Sequence, residues 1–243
     1  MVDERGLTSV SKPLALVVTL VLVAGCGGKT SPSMARSTAP SPGASPSSST
    51  SCRPLVLGFR GQGQSTRGFH GAGREAGQVA ERLGDRVVGV RFPSSAGGST
   101  YDSDVAAGVR RADRLIRSAC GRVVLVGYSQ GAEVVHRVVV GHPHRVALAV
   151  LMGDPLRNPA DHVPTLTLGT GTLTGRGNAG PGDRFPGVVR AHVLEVCVRG
   201  DDVCNAPPAG RIGPASPVHR RAYQGAGAAR TVAVRAARIA AGS

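Results

Sequence analysis

Five residues, Gly127-Tyr128-Ser129-Gln130-Gly131, lie between an apolar run at residues 123–126 and a helix-compatible run at residues 132–140. Strand, glycine-flanked turn, then helix is the setting that a G-x-S-x-G elbow requires. The glycines answer a steric need, because so sharp a turn leaves no room for side chains beside the serine. It lifts the Ser129 hydroxyl clear of the sheet and turns the new helix's N-terminus toward any oxyanion that develops there.

The rest of the body agrees with that turn. Residues 55–59, 86–92, 123–126, 146–152 and 192–198 are short β-rich apolar runs alternating with helix-like segments. The fold class expected is α/β, a three-layer α/β/α sandwich with a mostly parallel central sheet. Val105, Val109, Ala112, Ile116 and Ala119 recur at steps of three and four, which puts Arg110, Arg111, Arg114 and Arg117 on the opposite, solvated face of a helix. Residues 164–186, rich in Gly and Thr, read as a long surface loop, and the Ala-rich residues 224–241 as a closing helix. A chain of 243 residues, 41% hydrophobic, can bury one full core, so a single domain with appendages is expected.

The appendages are at the start. Arg5 and Lys12 precede an apolar run at residues 14–23 that is too short to span a bilayer, and it ends in Val23-Ala24-Gly25-Cys26. Small residues directly before a cysteine resemble the bacterial lipobox, in which the thiol takes a diacylglycerol and the leader is cut just before it. The expected layout is residues 1–25 signal peptide, 26–51 lipidated Cys26 and a Ser/Pro/Thr-rich tether, and 52–243 catalytic domain. The protein is expected to be exported, either held on the outer face of the cell membrane by its N-terminal lipid anchor or secreted. With Cys26 consumed, Cys52, Cys120, Cys197 and Cys204 remain, an even number that implies two disulfides. Three pairings are possible, and the short gap between Cys197 and Cys204 favours a local closure that leaves Cys52 with Cys120.

The net charge of +14 comes from scattered arginines, with Lys12 and Lys29 the only lysines, and reads as a cationic surface suited to anionic lipids or wall polymers. Aromatics at 3% and the lack of a known module exclude a nucleic-acid site. His142 and His144 have no third ligand at a telling spacing, so they do not read as a metal pair.

In hydrolases built on this elbow the partners follow in the order Ser, acid, His. His219 alone comes late enough; His70, His136, His142, His144, His162 and His192 read as surface or core histidines. The acid falls in Cys197-Val198-Arg199-Gly200-Asp201-Asp202-Val203-Cys204, where a disulfide would clamp a loop and hold a carboxylate against the imidazole. Asp201 is the choice, with Asp202 and the structural-looking Asp154 as competitors.

Together these residues resemble the cutinase family, including its actinobacterial cutinase-like members. The resemblance runs from Cys52 to Tyr223 through Arg60-Gly61, Phe92-Pro93, Tyr101, Cys120 ahead of the elbow, Gly153-Asp154-Pro155, the Cys-flanked Gly-Asp-x-Val-Cys loop, and His219 followed by Tyr223. It implies disulfides Cys52–Cys120 and Cys197–Cys204, a triad of Ser129, Asp201 and His219, and an oxyanion hole from the backbone amides of Gln130 and Gln62. It also implies an open site without a large lid, metal or organic cofactor. The family usually has Ser or Thr where this chain has Gln62, so an extra hydroxyl donor is lost there.

The activity expected is serine esterase action on short- to medium-chain carboxylic or lipid esters at the cell envelope, by a monomer whose partner is an ester substrate. The alternatives are a phospholipase or thioesterase on the same site, or a surface binding lipoprotein with impaired catalysis.

Overall fold

The structure, a computed structural model, describes residues 52–207 and 215–242. The expected signal peptide, Cys26 and the tether lie outside the described residues. No helix among the described residues is long and apolar enough to cross a membrane.

Six strands, β1 (Leu55–Phe59), β2 (Val87–Gly89), β3 (Val123–Tyr128), β4 (Val146–Met152), β5 (Thr165–Leu168) and β6 (Val193–Val198), form one sheet of order β2-β1-β3-β4-β6-β5, every pair parallel. The helices are α1 (Arg74–Leu83), α2 (Tyr101–Ser118), α3 (Gln130–Gly141), the single turn α4 (Gly187–Arg190), α5 (Pro217–Ala222) and α6 (Ala226–Ala241).

The two-residue period of a strand sorts the core into two layers. Leu55, Leu57, Phe59, Val123, Leu125, Ala149, Leu151 and Val193 pack with α2 and α3. Val56, Val124, Val126, Leu148, Val150, Leu194 and Val196 pack with α1 and α6 on the other face. Both faces are covered, and the central strands accordingly read as unbroken apolar runs. The three-layer sandwich expected from the sequence is therefore present.

One expectation is corrected. Residues 164–186 are not all loop, because Thr165–Leu168 is the edge strand β5, paired with β6 from Thr165↔Glu195 to Leu168↔Val198. Its Thr-Leu-Thr-Leu alternation is half-exposed, as an edge permits, and it gains strand character only from its partner.

The strand order reverses at β1, which lies between β2 and β3. In an open parallel sheet such a switch point leaves a crevice outside the strand carboxyl ends, where the two connections depart to opposite faces. Arg60-Gly61-Gln62 leave β1 there, and Ser129 leaves β3.

Candidate active site

Ser129 sits at the junction of β3 and α3 with φ 55° and ψ −122°, a region that a side-chain-bearing residue occupies only when its surroundings force it. The forcing is visible at both glycines. A Cβ on Gly127 would lie 2.4 Å from the Gly131 carbonyl oxygen, and one on Gly131 would lie 2.2 Å from that of Phe59. The Ser129 amide donates to Met152 O at 2.9 Å, while its carbonyl accepts from Ala132 and Glu133 at 2.8 and 3.1 Å, starting the helix. The amide of Gln130, the first residue of α3, has no intrahelical acceptor.

Asp201 follows β6 in the loop closed by the Cys197–Cys204 disulfide, and a second disulfide joins Cys52 to Cys120, both as expected. Gly200 turns the chain at φ 82°. The Asp201 amide then bonds to Val198 O at 3.0 Å, and its Oδ1 accepts from the Val203 amide at 2.8 Å. Its carboxylate is fully buried and meets His219 Nδ1 at 2.9 and 3.0 Å. Asp202, the adjacent competitor, is exposed and instead accepts the Ser216 amide at 3.1 Å. Asp154 is spent on His136, whose Nδ1 is 2.7 Å away.

His219 is carried by α5, whose N-cap Ser216 accepts the His219 amide at 3.2 Å. The imidazole stacks on Tyr128, ring centres 5.1 Å apart, and the Tyr128 hydroxyl holds the His219 carbonyl at 2.8 Å. Beneath the ring lies Gly153 at φ 63°, where a Cβ would come within 2.7 Å of His219 Cε1. With Nδ1 donating to Asp201, Nε2 is left as the acceptor nitrogen, and among the described residues it has no hydrogen-bond partner. No bond from Ser129 closes onto it in this unliganded arrangement; such contacts often tighten only when substrate is bound.

The Arg60-Gly61-Gln62 turn is pinned from several sides. Arg60 donates to the carbonyls of Phe92 and of Pro93, the latter at 2.7 Å, which explains why these two motifs occur together. The amides of Gly61 and Gly63 are taken by Gln64 Oε1 and Ser94 O at 2.8 and 2.9 Å. That of Gln62, between them, is not taken by any described residue. The Gln62 carboxamide points elsewhere, donating to Gly97 O at 3.2 Å, and so does not replace the missing hydroxyl.

Ser129 and Gln62 line a cleft of about 690 Å³ with Tyr101, Asp102, Glu133, Arg137, Leu156 and Asn178. Sequence reasoning gave no role to several of these. Tyr101 donates to Glu133 at 2.9 Å, and Arg137 donates to the same carboxylate at 2.8 Å, while burial raises the Glu133 pKa. Tyr223 also went unread as a working residue. Its hydroxyl donates to Asp201 Oδ2 at 2.5 Å and accepts the Val198 amide at 3.1 Å, and burial beside Asp201 pushes its pKa well up. Nothing in the local sequence marks these contacts, which join residues far apart in the chain.

Cys197, Asp201 and Cys204 lie close enough together to suggest metal ligands, but their sulfurs are joined in a disulfide, which leaves no thiolate to bind one.

The family model described as Cutinase matches residues 51–232. Among solved structures, a novel cutinase-like protein from Cryptococcus sp. superposes with a TM-score of 0.59 at 20% identity, over 77% of this chain and 95% of that one. The catalytic core domain of acetyl xylan esterase from Trichoderma reesei gives 0.56 at 21% identity, over 77% and 98%. No curated protein matches.

Proposed function

Because the chain belongs to the cutinase family and is a carboxylic ester hydrolase, we propose that it cleaves short- to medium-chain carboxylic or lipid esters at the cell envelope through a Ser129–His219–Asp201 acyl-enzyme mechanism. His219 Nε2 takes the proton of Ser129 as its Oγ attacks the ester carbonyl, then returns it to the leaving alcohol. Asp201 fixes the imidazole tautomer and balances the imidazolium charge. The amides of Gln130 and Gln62 hold the oxyanion, and water deacylates the serine by the reverse sequence. The observation that carries this reading is the buried His219–Asp201 pair, which leaves Nε2 as the ring's acceptor nitrogen without a partner among the described residues.

A fluorophosphonate probe tests it. Covalent labelling mapped to Ser129, abolished by Ser129→Ala and strongly slowed by His219→Gln, is the expected result. A well-folded protein that takes no label would sink the mechanism and favour a binding lipoprotein.

A further inference from the structure

The cationic charge is concentrated by the way the fold buries its acids. Glu75, Asp104, Glu133, Asp154, Asp161, Glu195 and Asp201 are drawn inside, whereas Arg60 and Arg157 are the only buried arginines among the described residues. The surface is therefore more strongly basic than the composition alone implies.

One helix carries much of that charge away from the active site. α2 begins at Tyr101 in the cleft wall and ends at the opposite edge of the sheet, where β3 and β4 start. There Arg145 donates to the carbonyls of Ile116 and Ala119 at 2.7 and 2.8 Å, and Arg122 donates to that of Val146 at 2.9 Å. At 1.5 Å per residue, Arg111, Arg114 and Arg117 stand about 15 to 24 Å along the helix from Tyr101. All three are exposed, and none has an acidic partner among the described residues. The nearest acid in sequence, Asp113, is engaged by His142 at 2.9 Å. Like charges three residues apart cost a helix stability unless an opposite charge relieves them. With Arg122 and Arg145 they make a basic edge in which none of the five arginines forms an ion pair among the described residues.

The same edge is where the chain enters the domain. Cys52, the first described residue, is disulfide-bonded to Cys120, two residues past the end of α2. Whatever precedes residue 52 therefore joins the body beside these arginines, while Ser129, Asp201 and His219 sit beyond the carboxyl ends of the strands, at the other edge.

We propose that the α2 arginine edge docks on an anionic lipid bilayer surface, so that the active-site cleft faces away from the membrane. Juxtamembrane arginines are drawn to anionic headgroups over about a Debye length, roughly 8 Å at physiological salt. A basic face on the domain adds an attraction to anionic headgroups that does not depend on an acyl chain. A lipid surface fits better than a nucleic acid, because the edge carries arginine without the aromatic platforms on which bases stack.

The test uses the full chain bearing Cys26→Ser, so that no acyl group contributes, sedimented with phosphatidylcholine vesicles either alone or containing about one third phosphatidylglycerol. Binding to the anionic vesicles only, and its loss at high salt, is expected. The triple variant Arg111→Gln, Arg114→Gln, Arg117→Gln weakens it about fivefold per arginine, about a hundredfold in all. An equal charge removed at the cleft edge, as Arg67→Gln, Arg74→Gln, Arg230→Gln, changes it no more than about threefold at physiological salt. Vesicle-bound protein hydrolyses a soluble ester as fast as free protein.

Equal losses in the two triple variants would mean general attraction without a docking face. Failure to bind anionic vesicles, or binding only to a soluble polyphosphate, overturns the lipid surface as partner, and blocked hydrolysis in the bound state overturns the orientation. Binding is read without catalysis, so an inactive protein would contradict the esterase reading and leave this one standing.

Discussion

Tyr223 is the residue whose importance depends most on the tertiary structure. Its hydroxyl gives Asp201 Oδ2 a short hydrogen bond while accepting from the Val198 amide, so the acid is held by a donor besides His219 and the Val203 amide. Tyr223→Phe removes a donor to a buried carboxylate and leaves an amide without its acceptor, a loss of about 1 to 3 kcal/mol in stability. In the proposed mechanism Asp201 acts through the imidazole, so the same change should lower kcat by about 3- to 10-fold with little effect on KM. Saturation kinetics beside a denaturation curve would show it, and an unchanged kcat in destabilised protein would reduce Tyr223 to a core residue. The sequence favours Asp201, after Gly200, with Asp202 as competitor, since two adjacent carboxylates cannot both point at one ring. Which way each points was settled by α5, which brings His219 to one and the Ser216 amide to the other.

Among the elements, the loop after β6 shows how much a disulfide does and how much it shares. The sequence suggests that a Cys197–Cys204 disulfide clamps the loop that carries the acid. The structure adds a turn from the Asp201 amide to Val198 O, a bond from the Asn205 amide back to Asp201 O at 3.0 Å, and the paired backbones of Arg176 and Ala206. Cys204→Ser should therefore cost about 2 to 3 kcal/mol, the amount loop-closure entropy gives for so short a ring. It should lower kcat in the folded fraction only a few-fold, since the turn persists. Thermal melts and kinetics on the folded fraction measure the two effects separately. Strands β1, β3, β4 and β6 could be read because buried parallel strands are continuous apolar runs with sharp ends. Neither β5 nor α1 could be. The first is a half-exposed edge among glycines, and the second, Arg-Glu-Ala-Gly-Gln-Val-Ala-Glu-Arg-Leu, offers mainly small residues to the sheet.

For the molecule as a whole, the acids drawn into the interior make stability depend on pH. Burial alone would lower the pKa of His136, but the Asp154 carboxylate and the Asp183 carbonyl outweigh it and push the pKa up to about 9. Burial, with Asp154 nearby, raises Glu195 to about 8 despite its ion pair with Arg157. Both groups hold a proton more tightly folded than unfolded, so the stability they contribute is complete at low pH and is lost as the pH climbs through about 8 and about 9. The melting temperature should fall steadily between pH 6 and pH 9, by an amount equivalent to about 2 to 3 kcal/mol for His136 alone; calorimetry at constant ionic strength that finds a flat or rising profile would contradict this. By itself the sequence determined the layered parallel sheet, the glycine-flanked elbow at Ser129 and the local closure of Cys197 on Cys204. Each of these is a local pattern of apolar period, glycine placement or cysteine spacing. Only the tertiary structure decided that Tyr223 braces Asp201, that His136 is a buried cation paired with Asp154, and that the α2 arginines stand beside Cys52 at the edge far from the cleft. These facts join residues far apart in the chain, and burial and charge pairing between such residues are fixed only once the sheet brings them together.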